Sequence, residues 1–344
     1  MRAVFRQCAR LFGFSSVFYM IFFSEARGGL SKLNVLRPVM LKKTAFADRL
    51  RCWALSGSSD GGSWVQTAPL YNISSSFYGD PYYLAIPKSA VWTWKPATHC
   101  KEPVRPFART RICTTLAGRK LLVVGDSISE EVFLSIANSL EEMRTVVDFR
   151  GGSTNSIRVC EGSVLLDFVR NDRLSLGVVQ DTVDAEGRKI FIEYPWAIPD
   201  HLSGADIILL NRGAHYEDDN TLLQAIEEAL LFVQTTVPAA RIVWRTTPRG
   251  HTEYAATLHA PPLSDDVSPD ILAGLPYNWG RFPAQNARVI ELLERRFPRV
   301  SILDVAPALG LRHDGHVDGL HYVLPGPLDH VTASLFHFLP EILG

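Results

Sequence analysis

The most regular pattern along this chain is a short apolar run that leads directly into a segment with helical period. Residues 121–124 are all apolar, which is typical of a strand that is buried on both faces. Gly125 allows a sharp turn, and apolar residues then recur every three or four positions from Ile128 to Leu140. The pattern predicts a strand, a turn and a helix, with Ser127 at the start of the helix.

Alternation of strand-like and helix-like segments continues to the C-terminus. Further strands are predicted at 146–149, 164–169, 190–194, 206–210, 241–245 and 300–305, and further helices at 220–235, 285–297 and 328–338. Residues 252–283 are rich in Pro and Gly, and we interpret them as an excursion beside a ligand site. This alternation predicts an α/β fold with a central parallel sheet, helices on both faces, and ligands at the carboxyl ends of the strands.

The N-terminal residues 1–26 have the pattern of a targeting segment. Arg2, Arg6 and Arg10 precede an apolar stretch at 11–23, and Ser24-Glu25-Ala26 has the small residues of a cleavage site. The apolar stretch is shorter than the roughly 20 residues that span a bilayer. We interpret the segment as a secretory signal peptide, with an uncleaved type II signal anchor as the alternative.

Three regions follow the targeting segment. Residues 27–50 have no clear period and are interpreted as a stem or linker. Residues 51–117 are irregular and rich in Ser, Gly, Pro, Tyr and Trp, so we expect an aromatic subdomain that packs on the core. A groove for a ligand is the less common use of such aromatic residues. Residues 118–344 contain the predicted sheet and the candidate site.

Composition and charge narrow the function classes. The chain has 344 residues, of which 47% are hydrophobic, which is enough for one large core. Its 35 basic and 36 acidic residues leave a net charge of −1. Because nucleic-acid binding needs a basic surface and no long basic run is present, we expect no nucleic-acid partner.

Cysteine usage agrees with the secretory pathway. Cys52, Cys100, Cys113 and Cys160 form an even set outside the targeting segment and allow three disulfide pairings, with buried free thiols as the alternative. None of their spacings is that of a zinc site. Asn72 begins an Asn-Ile-Ser acceptor sequence for N-glycosylation. We therefore expect a protein of the secretory pathway, either lumenal or secreted.

Ser127 and a distant C-terminal segment together suggest nucleophilic chemistry. A serine at a helix N-terminus is close to backbone N–H groups that stabilise an anion, although helix capping is the more common role of a serine in such a Gly-Asp-Ser tripeptide. Asp318 and His321 are three residues apart in a loop rich in Gly and Pro, and they could supply the base and its orienting acid. The other candidate bases are His215, His251, His313, His316 and His330. A metal site at His313, Asp314 and His316 is disfavoured, and no metal is expected.

Several further segments resemble one known family. They are Gly62-Ser63-Trp64-Val65, Trp94-Lys95-Pro96 to Cys100, residues 118–127, Asn211-Arg212-Gly213-Ala214-His215-Tyr216, Arg245-Thr246-Thr247-Pro248, Arg312-His313-Asp314-Gly315-His316 and residues 318–327. In this order they resemble the PC-esterase family, which includes the plant trichome-birefringence-like proteins, within the SGNH (GDSL-like) hydrolase superfamily.

The resemblance implies an SGNH-hydrolase-like three-layer α/β sandwich that transfers acyl groups to or from sugar hydroxyls. It implies Ser127 as nucleophile, His321 as base and Asp318 as the acid that orients it. Asn211 would form the oxyanion hole with the Ser127 N–H and a glycine, Gly152 or its neighbour Gly151. Gly319 and Val323 stand where plant members commonly have cysteines, which separates this chain from the plant polysaccharide-acetylating branch.

We therefore predict an O-acetyltransferase that acts on a glycan or polysaccharide through an acyl-Ser127 intermediate. The alternatives are an acetylesterase with the same triad and a catalytically silent carbohydrate-binding protein. No bound cofactor is expected; the acyl donor would be acetyl-CoA or an acetyl ester, and a membrane acyl-donor transporter is a candidate partner. Asp126, Arg212 and His215 are candidate substrate contacts, Arg212 having a structural brace as its more common role.

Overall fold

The computed structural model describes the greater part of the chain after its N-terminal region. The described residues are 48–49, 52, 62–71, 91–100, 107–140, 154–177, 182–183, 189–215, 218–257, 260–264 and 268–344. Ala45–Gly344 form one compact unit. The targeting segment, most of the linker, the predicted strand at 146–149, Asn72, Gly151 and Gly152 lie outside the described residues.

The strands and helices alternate along the C-terminal part of this unit. The strands are β1 (Ser63–Gln66), β2 (Trp92–Lys95), β3 (Lys120–Gly125), β4 (Thr154–Val159), β5 (Val164–Arg170), β6 (Thr182–Val183), β7 (Lys189–Phe191), β8 (Ile207–Leu210), β9 (Arg241–Arg245) and β10 (Ser301–Leu303). The helices are α1 (Arg109–Leu116), α2 (Ser127–Leu140), α3 (Pro199–Leu202), α4 (Asp219–Thr236), α5 (Tyr254–Thr257), α6 (Pro269–Ala273), α7 (Phe282–Arg296), α8 (Ala306–Leu309), α9 (Asp329–His337) and α10 (Leu339–Leu343). Short 3-10 turns occur at Thr98–Cys100, Pro276–Arg281 and His313–Gly315.

A mostly parallel sheet forms the centre of the fold. Within the described residues it has six strands in the order β10-β9-β8-β3-β5-β4. Strand β3 pairs in parallel with β5 on one side and with β8 on the other, and only β4 runs antiparallel to its neighbour. Since β3 is central and parallel, its carboxyl end lies beside the ends of β5 and β8, where ligands bind in folds of this class.

Each face of the sheet is covered by helices, which makes three layers. Leu121 and Val123 of β3 belong to one core cluster, together with apolar residues of α1, α2 and α9. Leu122 and Val124 belong to the other cluster, together with residues of α4 and α7. Successive side chains of a strand point to opposite faces, so one uninterrupted apolar run supplies both cores. The predicted α/β fold with a central parallel sheet is confirmed.

The segment before β3 contributes a small hairpin that contacts the core. Strands β1 and β2 pair antiparallel, with Trp64 opposite Trp94. The Trp64 indole N–H donates a hydrogen bond to the Ala308 carbonyl at 2.9 Å, and the Arg312 guanidinium lies 4.4 Å from the centre of the Trp64 ring. These two tryptophans therefore pack against the core rather than form an open groove.

Two parts of the sheet differ from the sequence prediction. Strand β4, which was not predicted, is an edge strand in which buried and exposed residues alternate. Its exposed positions are polar, so the strand has no continuous apolar run that would have identified it in the sequence. The segment predicted as a strand at 190–194 forms β7, which pairs with β6 outside the main sheet. Among the residues that the structure describes, no helix is long and apolar enough to span a membrane.

Candidate active site

Ser127 begins helix α2 immediately after β3, as the apolar pattern predicts. The helix is capped by the neighbouring Asp126, whose Oδ1 accepts hydrogen bonds from the N–H groups of Ile128 at 3.0 Å and Ser129 at 3.2 Å. Asp126 is fully buried, and the contacts of its Oδ1 are those of a helix cap. Because Asp126 caps the helix, the Ser127 hydroxyl is not needed for capping and is available for a contact with another segment of the chain.

Gly125 allows the close packing at this junction. A Cβ atom at position 125 would lie 2.3 Å from Ser129 Oγ and 2.9 Å from the Asn211 carbonyl oxygen, both well inside contact distance. The start of α2 and the end of β8 thus approach each other across a residue without a side chain. This close approach brings Ser127 to the carboxyl edge of the sheet beside Asn211.

Asp318 and His321 lie in a tight loop between His316 and Tyr322, which form an isolated antiparallel bridge. Asp318 Oδ1 accepts hydrogen bonds from the N–H groups of Leu320 at 3.1 Å and His321 at 2.9 Å, which folds the loop locally. Gly319 has a φ of +91°, and a Cβ there would lie 2.8 Å from the His251 carbonyl oxygen. This conformation disfavours the cysteine that plant members commonly have at this position.

The loop brings the three predicted residues into one hydrogen-bonded row. His321 Nε2 lies 2.7 Å from Ser127 Oγ, and His321 Nδ1 lies 2.7 Å from Asp318 Oδ2. A carboxylate can only accept, so Nδ1 carries the proton and Nε2 presents its lone pair to the Ser127 hydroxyl. The Ser127 residue is 6% exposed, whereas the side chains of His321 and Asp318 are 22% and 37% exposed. The row therefore opens to solvent at its acid end.

The charges in the row support each other. Burial opposes ionisation of Asp318, but its hydrogen bond to His321 and the charge of that ring hold the pKa of Asp318 well below its usual range. Burial alone would lower the pKa of His321, whereas the hydrogen bond to Asp318 and the nearby Glu131 carboxyl group raise it above its usual value. An ionised Asp318 and a His321 whose pKa is raised suit proton abstraction from Ser127.

Asn211 lies at the end of β8, next to the junction, but its amide group is engaged. Its Nδ2 donates to the Arg245 carbonyl at 2.7 Å and to Thr247 Oγ1 at 2.9 Å, and its Oδ1 accepts from Arg245 Nη2 at 2.6 Å. An oxyanion would therefore have to replace Thr247 Oγ1 as an acceptor of the Asn211 amide. The second predicted donor, Gly152, lies outside the described residues.

Arg212 and His215, the other candidate substrate contacts, belong to a charged cluster beside the site. Arg212 is 4% exposed, and its Nη1 donates to the Arg173 carbonyl. Burial, helped by the neighbouring Arg173, lowers the pKa of Arg212 to about 10. His215 Nε2 lies 3.3 Å from Asp172 Oδ2, and its side chain is 28% exposed. Arg212 is thus buried against the Arg173 carbonyl, and the His215 side chain is partly exposed.

The other histidines considered as bases are used elsewhere. His251 Nε2 donates to the Gly310 carbonyl at 2.9 Å, so its Nδ1 accepts from His316 Nε2 at 2.7 Å. Burial lowers the pKa of His316 to about 3, which keeps this ring neutral. His313 Nε2 lies 3.0 Å from the Pro261 carbonyl oxygen, and His330 is buried against Trp64. No group of metal-binding side chains is assembled within the described residues.

Three residues that sequence reasoning left without a role contribute to the site. Arg245 lies in a segment that was singled out by resemblance alone, and it holds the Asn211 amide oxygen. Arg312, in another such segment, makes a two-pronged ion pair with Asp314 in the core beneath the loop. Glu131 accepts a hydrogen bond from the Tyr322 N–H. Its position four residues after Ser127 on the same helix was the signal that could have identified it.

The cysteines that the sequence left with three pairings form two disulfides. Cys52 is bonded to Cys100, and Cys113 is bonded to Cys160. The second bond links α1 to the turn between β4 and β5, away from Ser127. The first bond lies within the segment that precedes the sheet, and the second connects that segment to the sheet. Neither bond involves the loop that contains Asp318 and His321.

Several solved structures are similar to this chain in fold. The chain is similar to the periplasmic domain of a lipopolysaccharide acetyltransferase from Salmonella ser. Paratyphi A, at 10% identity and a TM-score of 0.39, covering 68% of this chain and 87% of that one. It is similar to a carbohydrate esterase family 3 protein from Talaromyces cellulolyticus, at 12% identity and a TM-score of 0.37, covering 65% and 98%. A peptidoglycan O-acetylesterase matches at 10% identity and a TM-score of 0.37, covering 68% and 94%.

No protein-family model matches the sequence, and no curated protein matches it as a relative. At identities and TM-scores this low, the solved structures are similar in outline only. The fold and the candidate site of this chain therefore rest on its own strands, side chains and hydrogen bonds.

Proposed function

We propose that the chain is an SGNH-type enzyme that transfers an acetyl group to a glycan hydroxyl through an acyl-Ser127 intermediate. The observation that supports this proposal is the continuous row of two hydrogen bonds, each 2.7 Å, from Ser127 through His321 to Asp318. Hydroxyl, imidazole and carboxylate in this order are the parts that activate a serine as a nucleophile. The order of its motifs along the chain supports assignment to the PC-esterase family.

The first step would form the acyl-enzyme. His321 Nε2 accepts the Ser127 proton while Ser127 Oγ attacks the acetyl carbonyl carbon of the donor. The resulting oxyanion is stabilised by the Ser127 N–H at the start of α2 and by the Asn211 amide once it exchanges Thr247 for the oxyanion. Collapse breaks the bond to the donor's leaving group, which takes the proton from His321 and departs.

The second step would return the enzyme to its starting state. A glycan hydroxyl gives its proton to His321 Nε2 and attacks the acyl-Ser127 carbonyl. Collapse of the second tetrahedral intermediate then releases the acetylated sugar, and Ser127 regains its proton. Asp318 remains ionised throughout and stabilises the imidazolium that forms in both steps.

Hydrolysis of the same acyl-enzyme is the alternative function. The Asp318 side chain is 37% exposed and that of His321 is 22% exposed, so water has access to the acid end of the row. An acetylesterase needs water at the acyl-Ser127 carbonyl, whereas a transferase must bind a sugar there in place of water. The acceptor therefore separates the two functions.

The proposal places the protein in the Golgi lumen or outside the cell. Two disulfides are compatible with an oxidising compartment, where such bonds persist. Acetyl-CoA or an acetyl ester would be the acyl donor, and a membrane acyl-donor transporter would be needed if the donor is made on the other side of the membrane.

Mass spectrometry of the purified protein mixed with an activated acetyl ester tests the proposal. Acetyl on the Ser127 peptide that persists in water and disappears when a xylan or mannan oligosaccharide is added identifies a transferase. Rapid loss in water alone identifies an esterase. The matched control is Ser127→Ala, which removes one oxygen atom and should carry no acetyl group.

A carbohydrate-binding protein without catalytic activity makes a different prediction in the same experiment. Its Ser127 would not be acetylated by any donor, nor labelled by a fluorophosphonate probe, in protein whose thermal unfolding confirms a folded state. That result would refute both the acetyltransferase and the acetylesterase functions.

A further inference from the structure

A buried carboxyl group lies one helical turn beyond Ser127, and the proposed mechanism does not use it. Glu131 is fully buried, and its Oε2 accepts a hydrogen bond from the Tyr322 backbone N–H at 3.1 Å. Residues four positions apart share one face of a helix. Ser127 and Glu131 therefore contact two consecutive residues of the triad loop, His321 through its side chain and Tyr322 through its backbone.

The Glu131 contact is placed where it controls the geometry of the base. The loop between the His316–Tyr322 bridge partners is short, so the backbone position of Tyr322 largely sets that of His321. A buried N–H without an acceptor is costly, and Glu131 supplies that acceptor for Tyr322. A small shift of His321 relative to Ser127 Oγ would lengthen the hydrogen bond through which the proton moves.

The charged and titratable groups around Glu131 come from three elements. Glu130 and Asp126 belong to α2 and its cap, His321, Asp318 and Tyr322 belong to the loop, and Arg245 belongs to β9. Burial raises the pKa of Glu131 to about 8, against the effect of His321, which lowers it. Glu131 in turn raises the pKa of His321. Protonation of each group thus depends on the other.

A neutral amide could accept the same hydrogen bond from Tyr322 without the cost of burying an ionisable group. What a carboxyl group adds at this position is a proton that it loses near pH 8. Once ionised, Glu131 would be a second negative charge that favours the imidazolium form of His321, the form that develops in the transition state.

We propose that Glu131 is a positioning residue of the acyl-transfer reaction, which holds the His321 loop on the Ser127 helix and places a second carboxyl group, besides Asp318, beside that loop. This inference rests on the proposed function. Glu131 contacts no reacting atom, and it acts through His321 alone.

Two variants of similar size separate the hydrogen bond from the charge. Glu131→Gln keeps an oxygen that can accept from the Tyr322 N–H but removes the titration. Glu131→Leu removes both. Glu130→Gln is the matched control, because Glu130 is the adjacent buried carboxyl group and pairs with Arg170 at 3.7 Å. The full chain is used in each case.

Two readouts are measured on every variant. The rate of Ser127 labelling by a fluorophosphonate is followed from pH 5 to 10, and hydrogen–deuterium exchange is followed in the peptide that covers residues 318–323. We expect Glu131→Leu to label about tenfold more slowly at every pH and to exchange faster in that peptide. We expect Glu131→Gln to exchange like the wild type but to lose the inflection of the labelling rate near pH 8.

Each part of the inference has a result that overturns it. Exchange and labelling of Glu131→Leu equal to those of the wild type would refute the holding role. An unchanged pH profile in Glu131→Gln, or the same change in Glu130→Gln, would refute the electrostatic role. If Glu131→Leu does not fold, Glu131→Gln still decides the electrostatic role. Faster exchange of the 318–323 peptide in Glu131→Gln would refute the claim that this variant keeps the hydrogen bond to the Tyr322 N–H. Absence of labelling in the wild type would refute the proposed function instead, while the exchange data would still decide the holding role.

Discussion

Arg245 Nη2 donates a hydrogen bond of 2.6 Å to Asn211 Oδ1, and both side chains are buried. The same guanidinium donates to Ser129 Oγ at 3.1 Å and lies 3.9 Å from Asp126 Oδ1. It therefore links the ends of β8 and β9 to the first turn of α2. The Arg245 guanidinium holds the amide oxygen of Asn211 and the Arg245 carbonyl accepts from its NH₂ group, so Arg245 determines the orientation of the candidate oxyanion donor.

Replacing Arg245 by Met should lower the free energy of unfolding by about 3–5 kcal/mol. The substitution leaves the Asp126 carboxylate without its cation and the Asn211 amide oxygen without its donor, both in the buried interior. Chemical denaturation measures the change. Arg241→Met is the control, because Arg241 is an exposed arginine at the start of the same strand and should change stability by only about 0.5 kcal/mol. Equal losses in the two variants would contradict the interpretation.

Replacing Asp318 by Asn should lower kcat/KM for an activated acetyl ester by about 10³-fold or more. The amide oxygen can still accept from the Leu320 and His321 N–H groups, so the loop should keep its shape. His321 then loses the carboxylate that fixes its tautomer and stabilises its charge. Steady-state kinetics measure the effect, and an unchanged thermal midpoint serves as the control for folding. Activity within tenfold of the wild type would exclude Asp318 as the orienting acid.

The acylation rate should fall as the pH decreases through a midpoint above 6.5, the ordinary pKa of histidine. Burial lowers the pKa of His321, but Asp318 and Glu131 together raise it by more than burial lowers it, so the net shift is upward. Only the neutral ring can accept the Ser127 proton, and it becomes protonated at a higher pH than a free histidine. The rate of Ser127 acetylation measured against pH gives the midpoint.

Asp318→Asn also provides the control for this pH dependence. Without the carboxylate, the effect of burial should dominate and move the midpoint to lower pH. A midpoint that stays the same or moves upward in this variant would contradict the assignment of the titration to His321.

Replacing both Cys113 and Cys160 by Ala should lower the free energy of unfolding by about 4 kcal/mol. The bond closes a loop with a sequence separation of 47, so its removal gives the unfolded chain more conformational freedom. Denaturation curves of the double variant and the wild type measure the difference. Below the unfolding transition, the Ser127 labelling rate should remain unchanged, because neither cysteine contacts the triad. A slower labelling rate in folded protein would contradict the expectation that the disulfide affects stability but not the triad.

Sequence patterns of short range identified the elements that hold the nucleophile and the base. The apolar run of β3 and the helical period of α2 placed Ser127 at a strand–helix junction, because both patterns depend on residues no more than four positions apart. The spacing of Asp318 and His321 also acts locally, since Asp318 folds the loop by accepting the His321 N–H at 2.9 Å. Edge strand β4 was missed because half of its positions face solvent and interrupt the apolar signal.

The contacts between distant segments were decided by the tertiary structure alone. Ser127 and His321 are 194 positions apart, and no local pattern states that their side chains meet. Asp126 was expected at the substrate and is buried as a helix cap, while Arg245 acquired a role that its own segment does not indicate. Burial, charge and hydrogen-bond partners depend on which elements pack together. The sequence by itself therefore determined where the reactive side chains lie along their strand, helix and loop, and packing of the sheet and its two helical layers decided which of them face one another.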